Sequence, residues 1–146
     1  MLIKLDESQV GEVLPQKYPF RFIKAVERLD VENKSILAEQ IYPHDEAFFK
    51  GHFPGDPVVP GVLLIESMAQ AALILLSKTL EIELNQAYLV KVKDATFYKP
   101  VVPDQKVWIQ NVELISKGKF WEVGMQVKSD TGKKIAKSKL ILQAGV

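Results

Sequence analysis

The chain contains no cysteine, and among its 146 residues there are two histidines, His44 and His52. Without cysteine there is no disulfide framework and no thiolate chemistry. Two histidines are too few for a histidine-rich metal site. Charge of one sign is also missing: 19 Lys and Arg face 18 Asp and Glu, a net +1, so no global excess points to nucleic acid. Repeats, low-complexity tracts and linker-like composition are absent. Hydrophobic residues at 47% and charged residues at 25% describe an ordinary globular chain. Its length suits one domain, residues 1–146, with a real core. The opening residues MLIKLDESQVGEVLPQKY lack the apolar core and small-residue cleavage site of a signal peptide, so the expected location is the cytoplasm.

Glycine and proline number eight each, and six of them fall within residues 51–61 as Gly51, Pro54, Gly55, Pro57, Pro60 and Gly61. Each proline fixes φ and restricts the residue before it, and each glycine permits backbone shapes that other residues avoid. This predicts an irregular loop of defined shape. It holds one ionisable ring, His52, between Gly51 and Phe53.

Residues 62–80 then run without Gly or Pro and are rich in Leu, Ala, Met, Glu and Gln, which predicts a helix starting at Pro60-Gly61. It is apolar on nearly all sides, as a buried helix is. The run is about long enough to span a bilayer, but Glu66, Ser67, Gln70 and Lys78 interrupt it, so a soluble core helix is expected and no membrane partner. Glu66 lies in its second turn. Burial should raise the pKa of that carboxyl, and Gln70, one turn on, is placed to hydrogen-bond it. A histidine in a rigid loop and a carboxyl on the buried helix that follows are both candidates for acid or base work near neutral pH. Composition alone leaves a structural role open for each.

The stretch GHFPGDPVVPGVLLIESMAQ resembles the signature of the FabZ-type (3R)-hydroxyacyl-[acyl carrier protein] dehydratases. The resemblance continues upstream through LPQKYPF and downstream through DATFYKPVVP, so it covers most of the chain. It implies an α+β hotdog fold, an antiparallel sheet wrapped around one long central helix. It also implies dehydration of a (3R)-3-hydroxyacyl thioester on acyl carrier protein to the trans-2-enoyl thioester, in fatty acid biosynthesis. By resemblance His52 matches the catalytic histidine and Glu66 the second catalytic residue. The related FabA-type enzymes usually carry Asp there, so Glu66 favours the FabZ type. The N–H of Gly61, at a helix N-terminus able to oppose negative charge, matches the site for the thioester carbonyl, with the N–H of Phe53 a second candidate. Gln70 is expected as an orienting partner at the substrate site. Leu64, Met68, Ala71 and Leu75 are core residues first, and some are placed to line an acyl tunnel. No cofactor and no metal are implied. His44, beside Asp45 and Glu46, reads as a surface residue.

Acyl carrier protein is acidic, and Lys17, Arg21, Lys91, Lys93 and Lys99 are available for a basic rim. The resemblance further implies a homodimer with shared active sites, assembled as a trimer of dimers. A helix apolar all round, covered on part of its surface by one sheet, agrees with a second chain. The sequence departs from the family pattern at Gln16-Lys17, where His-Arg is common. It departs again at Lys91-Val92-Lys93-Asp94, in place of Gly-Ile-Asp, and at Asp104-Gln105, in place of Gly-Asp. These departures leave two rival readings: the same chemistry in a specialised polyene, pigment or secondary lipid pathway, and a non-catalytic acyl-binding hotdog module. Hotdog thioesterases lack the GHFPG-to-Glu arrangement.

Around this centre the patterning predicts one short helix or capping segment over residues 2–13. Strands are expected over 21–29, 34–42, 88–98, 105–115, 121–128 and 133–143.

Overall fold

The computed structural model describes residues 1–81, 84 and 87–143. Residues 2–13 divide into two elements where one short helix or capping segment is expected. Strand β1 is Leu2–Leu5 and helix α1 is Glu7–Val13. The division falls at Asp6. Its carboxylate accepts the Gln9 N–H at 2.9 Å and its own N–H donates to Gln9 Oε1 at 2.9 Å, a capping box that starts the helix there. The four residues before it pair antiparallel with β2, Ala25–Asp30. At the other end of α1, Lys17 Nζ donates to the carbonyls of Gly11 and Leu14. A cation there complements the helix C-terminus.

The strand expected from residue 21 begins only at Ala25. Residues 20–22 are held instead by side chains of the central helix, which take up the backbone groups a ladder needs. Asp30 turns the chain by accepting the N–H groups of Glu32 and Asn33. Strand β3, Ser35–Ile41, follows, then a 3₁₀ turn, Ala47–Lys50, and helix α2, Gly61–Leu80. Four long strands complete the chain: β4 Tyr88–Phe97, β5 Lys106–Lys117, β6 Phe120–Ser129 and β7 Lys134–Gln143.

The seven strands form one antiparallel sheet in the order β1-β2-β3-β5-β6-β7-β4. Alternation puts Ile36, Ala38, Ile109, Val123, Met125, Val127 and Leu140 on the inner face, where they are buried with Leu64, Met68, Ala71 and Leu75 of α2. A sheet curled around one buried helix is the hotdog fold. Helix α2 is long and apolar enough to cross a membrane by those measures alone, yet most of it is buried inside this chain's own sheet. The helix ends at Glu81, which takes a left-handed conformation at φ 52°.

Two surfaces stay uncovered. Near the start of α2, Val62 is 70% exposed and Leu63, Ile65 and Glu66 are half-buried. Strand β4 is the sheet's end strand and shows almost no burial on either face.

Candidate active site

His52 is set by the loop that carries it. Its N–H donates to the Phe48 carbonyl at 3.1 Å, closing the 3₁₀ turn, and its ring stacks on Phe53 with centroids 4.2 Å apart. Nδ1 lies 2.9 Å from the Val58 carbonyl oxygen. A carbonyl only accepts, so Nδ1 carries the hydrogen, and in the neutral ring Nε2 keeps the lone pair. The loop thus selects the tautomer whose free nitrogen is a base.

Phe53 is placed differently from expectation. Its N–H donates to the Asp56 carbonyl at 3.1 Å and Asp56 N–H returns to the Phe53 carbonyl at 2.9 Å. That closed turn uses the amide, so Phe53 is not a free donor for a substrate oxygen. The amides at the start of α2 are open. Pro60 stands at the N-cap and supplies no side-chain cap, and the first turn holds no acidic residue. Leu63 N–H bonds to the Pro60 carbonyl, while the N–H groups of Gly61 and Val62 have no acceptor among the described residues. They face outward with the positive end of the helix dipole.

Why residue 61 is glycine follows from Phe97, whose ring would lie 3.2 Å from a Cβ at that position. Gly61 opens onto a cleft of about 340 Å³ lined by Val59, Leu64, Phe97, Tyr98, Lys99 and Val101. The bond from Val59 N–H to the Val101 carbonyl, 2.8 Å, holds the cleft's two sides together. Phe97 was not legible as a site residue. The TFYKP stretch marks the segment but not the ring's position over Gly61.

Glu66 is half-buried, and burial raises its pKa above the ordinary carboxyl value while a hydrogen bond from Gln70 opposes part of that rise. Gln70 Nε2 donates to Glu66 Oε2 at 2.9 Å, as the one-turn spacing predicts. Its second hydrogen goes to the Phe20 carbonyl at 3.0 Å, and its oxygen accepts the Phe22 N–H at 2.7 Å. Gln70 is fully buried and all these groups are engaged. It therefore lies beneath the site and orients Glu66 rather than facing a ligand.

Of the five basic candidates, three already have partners. Lys17 closes α1. Arg21 packs over Gly11 and lies 3.9 Å from Glu7. Lys93 donates to Glu122 at 3.0 Å, a carboxylate also reached by Lys117 and held below its usual pKa by the two lysines. Lys91 and Lys99 make no ion pair among the described residues. His44 lies at the surface, with Nδ1 2.9 Å from Asp104 Oδ2.

The family model described as "FabA-like domain" matches residues 14–139, which takes in the His52 loop, α2 and the cleft at Gly61. The chain belongs to the FabA-like family. It is 35% identical over 143 residues to the 3-hydroxyacyl-[acyl-carrier-protein] dehydratase FabZ of Enterococcus faecalis, covering 98% of this chain and 100% of the relative. Against the enzyme of the same name from Pediococcus pentosaceus it is 38% identical over 141 residues, 97% of this chain and 93% of the relative. Among solved structures, this member of the FabA-like family superposes on the dehydratase heterocomplex ApeI:P from Xenorhabdus doucetiae with a TM-score of 0.76 at 17% identity, covering 92% and 90% of the two chains. A hypothetical thioesterase from Streptococcus pneumoniae, solved with coenzyme A, gives 0.61 at 10% identity over 82% and 83%. At such identities these likenesses establish the hotdog fold and nothing finer.

Proposed function

We propose that this chain dehydrates (3R)-3-hydroxyacyl thioesters carried on acyl carrier protein in fatty acid biosynthesis, with His52 as base and Glu66 as acid. The observation that carries the assignment of roles is their opposite preparation. His52 presents a free basic Nε2, while burial shifts Glu66 toward its neutral form. The full-length relatives named FabZ support the substrate class.

In the reaction His52 Nε2 takes the proton from C2. The electron pair left behind forms the C2–C3 double bond, the C3–O bond breaks, and the hydroxyl leaves as water with the proton of Glu66. As C2 loses its proton, negative charge grows on the thioester oxygen, and the open amide of Gly61 opposes it. No step requires redox chemistry or a metal.

The family resemblance supports a site completed by two protomers, one giving the histidine and the other the glutamate. The uncovered face of α2 and the bare strand β4 supply a surface for that dimer, with a trimer of dimers as the full assembly. Lys99, beside the Gly61 cleft, and Lys91 are the two of these five candidates without an ion pair among the described residues, and we assign them to an acidic carrier protein. The setting proposed is the cytoplasm.

The test follows the enoyl absorbance with 3-hydroxybutyryl and crotonyl thioesters on acyl carrier protein, for wild type, His52→Ala and Glu66→Gln. Both variants should lose activity by roughly 10²-fold or more with the assembly intact. Wild-type turnover in either variant overturns that residue's role. An inactive wild type on short and long acyl chains overturns the dehydratase reading.

A further inference from the structure

We propose that Ser67 and Tyr42 are positioning residues for the acid step: together they lock residues 20–22 against α2 and so decide which oxygen of Glu66 carries the proton. This rests on the reading of Glu66 as the acid. Neither residue touches substrate in that reading, and neither belongs to the stretch's acid–base pair.

Ser67 is fully buried in the middle of α2. A serine there ordinarily turns its hydroxyl back to the carbonyl four residues earlier. Ser67 Oγ instead donates to the Phe22 carbonyl at 2.8 Å, outside its own helix. A hydroxyl has one hydrogen, so the contact between Tyr42 Oη and Ser67 Oγ, 2.5 Å, runs from tyrosine to serine. Tyr42 is 1% exposed, and burial raises its pKa far above the ordinary phenol value, which keeps it a donor at any working pH.

The order continues on the other side of Phe22. Its N–H goes to Gln70 Oε1, which fixes the amide with oxygen toward the Phe22 N–H and nitrogen toward the Phe20 carbonyl and Glu66. Every bond from Tyr42 to Glu66 therefore has one direction. The end of the chain is an N–H pointing at Glu66 Oε2. An oxygen already receiving a hydrogen does not carry its own toward the same donor, so the acid proton rides on Oε1, away from Gln70. Among the described residues, no charged side chain pairs with Glu66. On α2 the group bonded to Glu66 is the neutral Gln70, and Arg21, the charge in residues 20–22, is turned to Gly11 and Glu7.

Ser67 holds the Phe22 carbonyl, and Tyr42, just after β3, holds Ser67. If residues 20–22 loosen, the Gln70 amide is free to turn. Its oxygen then meets Glu66 Oε2, which draws the proton to the wrong oxygen and strengthens the protonated form.

The test uses the full-length protein in its native assembly, with Ser67→Ala, Ser67→Thr and Tyr42→Phe beside wild type and Glu66→Gln. Rates on 3-hydroxybutyryl-acyl carrier protein are taken from pH 5 to 9, with circular dichroism and oligomer size as controls. Ser67→Ala should lower kcat about tenfold with KM within about twofold, and move the basic limb of the profile to higher pH. Ser67→Thr, which keeps the hydroxyl, should recover most of kcat. Tyr42→Phe should lower kcat about threefold in the same pattern. A folded Ser67→Ala with wild-type kcat and profile overturns the proposal, as does a shift of the basic limb to lower pH, the sign of water reaching the carboxyl. If Ser67→Ala does not fold, Tyr42→Phe decides alone, and an unchanged kcat and profile overturns it. Wild-type activity in Glu66→Gln is a different result: it removes the acid role of Glu66 itself.

Discussion

Gln70 and Glu66 are joined by one amide hydrogen across a single turn of α2, at 2.9 Å, and Gln70 has no hydrogen left over. The same side chain that orients Glu66 also holds two backbone groups of residues 20–22. Replacing it therefore tests structure and chemistry together. Gln70→Leu fits the apolar surroundings but leaves the Phe22 N–H and the Phe20 carbonyl without partners. Each such group costs about 1–3 kcal/mol. The midpoint of thermal unfolding should drop by several degrees, and kcat should fall about tenfold in the fraction that remains folded. Calorimetry and initial rates check both. An unchanged midpoint would mean that these groups find water.

Glu66→Gln should stabilise the protein while removing its activity. The folded state raises the pKa of Glu66 above its ordinary 4.5, so the folded chain binds that proton more tightly than the unfolded one. Stability from this group is full below the unfolded pKa and is lost as pH rises through the folded pKa. Above both values the wild type carries the whole penalty and the glutamine variant carries none. The difference in melting temperature should be absent near pH 4, open as pH rises, and level off once Glu66 is ionised in the folded state. Melting curves across pH 4 to 9 decide it. A variant less stable than wild type at pH 8 contradicts the expectation.

Gly61→Ala separates helix propensity from the needs of the cleft. Alanine is favoured over glycine in a helix by up to about 1 kcal/mol. Here its methyl would stand 3.2 Å from the Phe97 ring, so the ring must give way by a few tenths of an ångström. Overpacking of this kind costs about 1–3 kcal/mol, which cancels or exceeds the helix gain. The expected result is a folded protein no more stable than wild type, with kcat/KM reduced about tenfold because the open amide and the cleft wall move together. Steady-state kinetics on the short-chain substrate read this directly.

Val90→Asp tests the bare strand. Val90 is exposed and lies at a break in the pairing with β7, between Leu89 and Lys91, so its side chain contributes little to the chain's own ladder. A carboxylate there should leave the single-chain fold intact and abolish the proposed dimer, and with it activity, if each site draws on two protomers as proposed. Sedimentation and circular dichroism give the two readouts. A dimeric, active Val90→Asp would move the interface away from β4.

The long elements were legible because their signals are local. Helix α2 announces itself by a mostly apolar run free of glycine and proline after Pro60-Gly61, and β6 by the alternation from Trp121 to Val127. The pairing of Glu66 with Gln70 follows from spacing alone. What the sequence does not display depends on partners far away in the chain. The four residues LIKL are a strand only because β2, more than twenty residues on, is there to pair with them. Phe22 leaves the expected strand because Ser67 and Gln70, some 45 and 48 residues later, take its carbonyl and its N–H. The tautomer of His52 depends on the Val58 carbonyl across a loop whose prolines hide its path. Phe97 reaches Gly61 only through the fold. Tyr42 reads as a strand residue, and nothing in its neighbours reveals that its hydroxyl ends on Ser67.

The end strand has a cost before any substrate arrives. In a single chain β4 offers one line of unpaired backbone groups to whatever strand it meets. Two irregularities interrupt the line, at residue 90 and at residues 94–95, where Asp94 takes a positive φ of 53°. Lys91 and Lys93 place like charge between them. A template broken at these points is a poor seed for stacking copy upon copy. What discourages the wrong company is thus confined to residues 90, 91 and 93–95 of one strand.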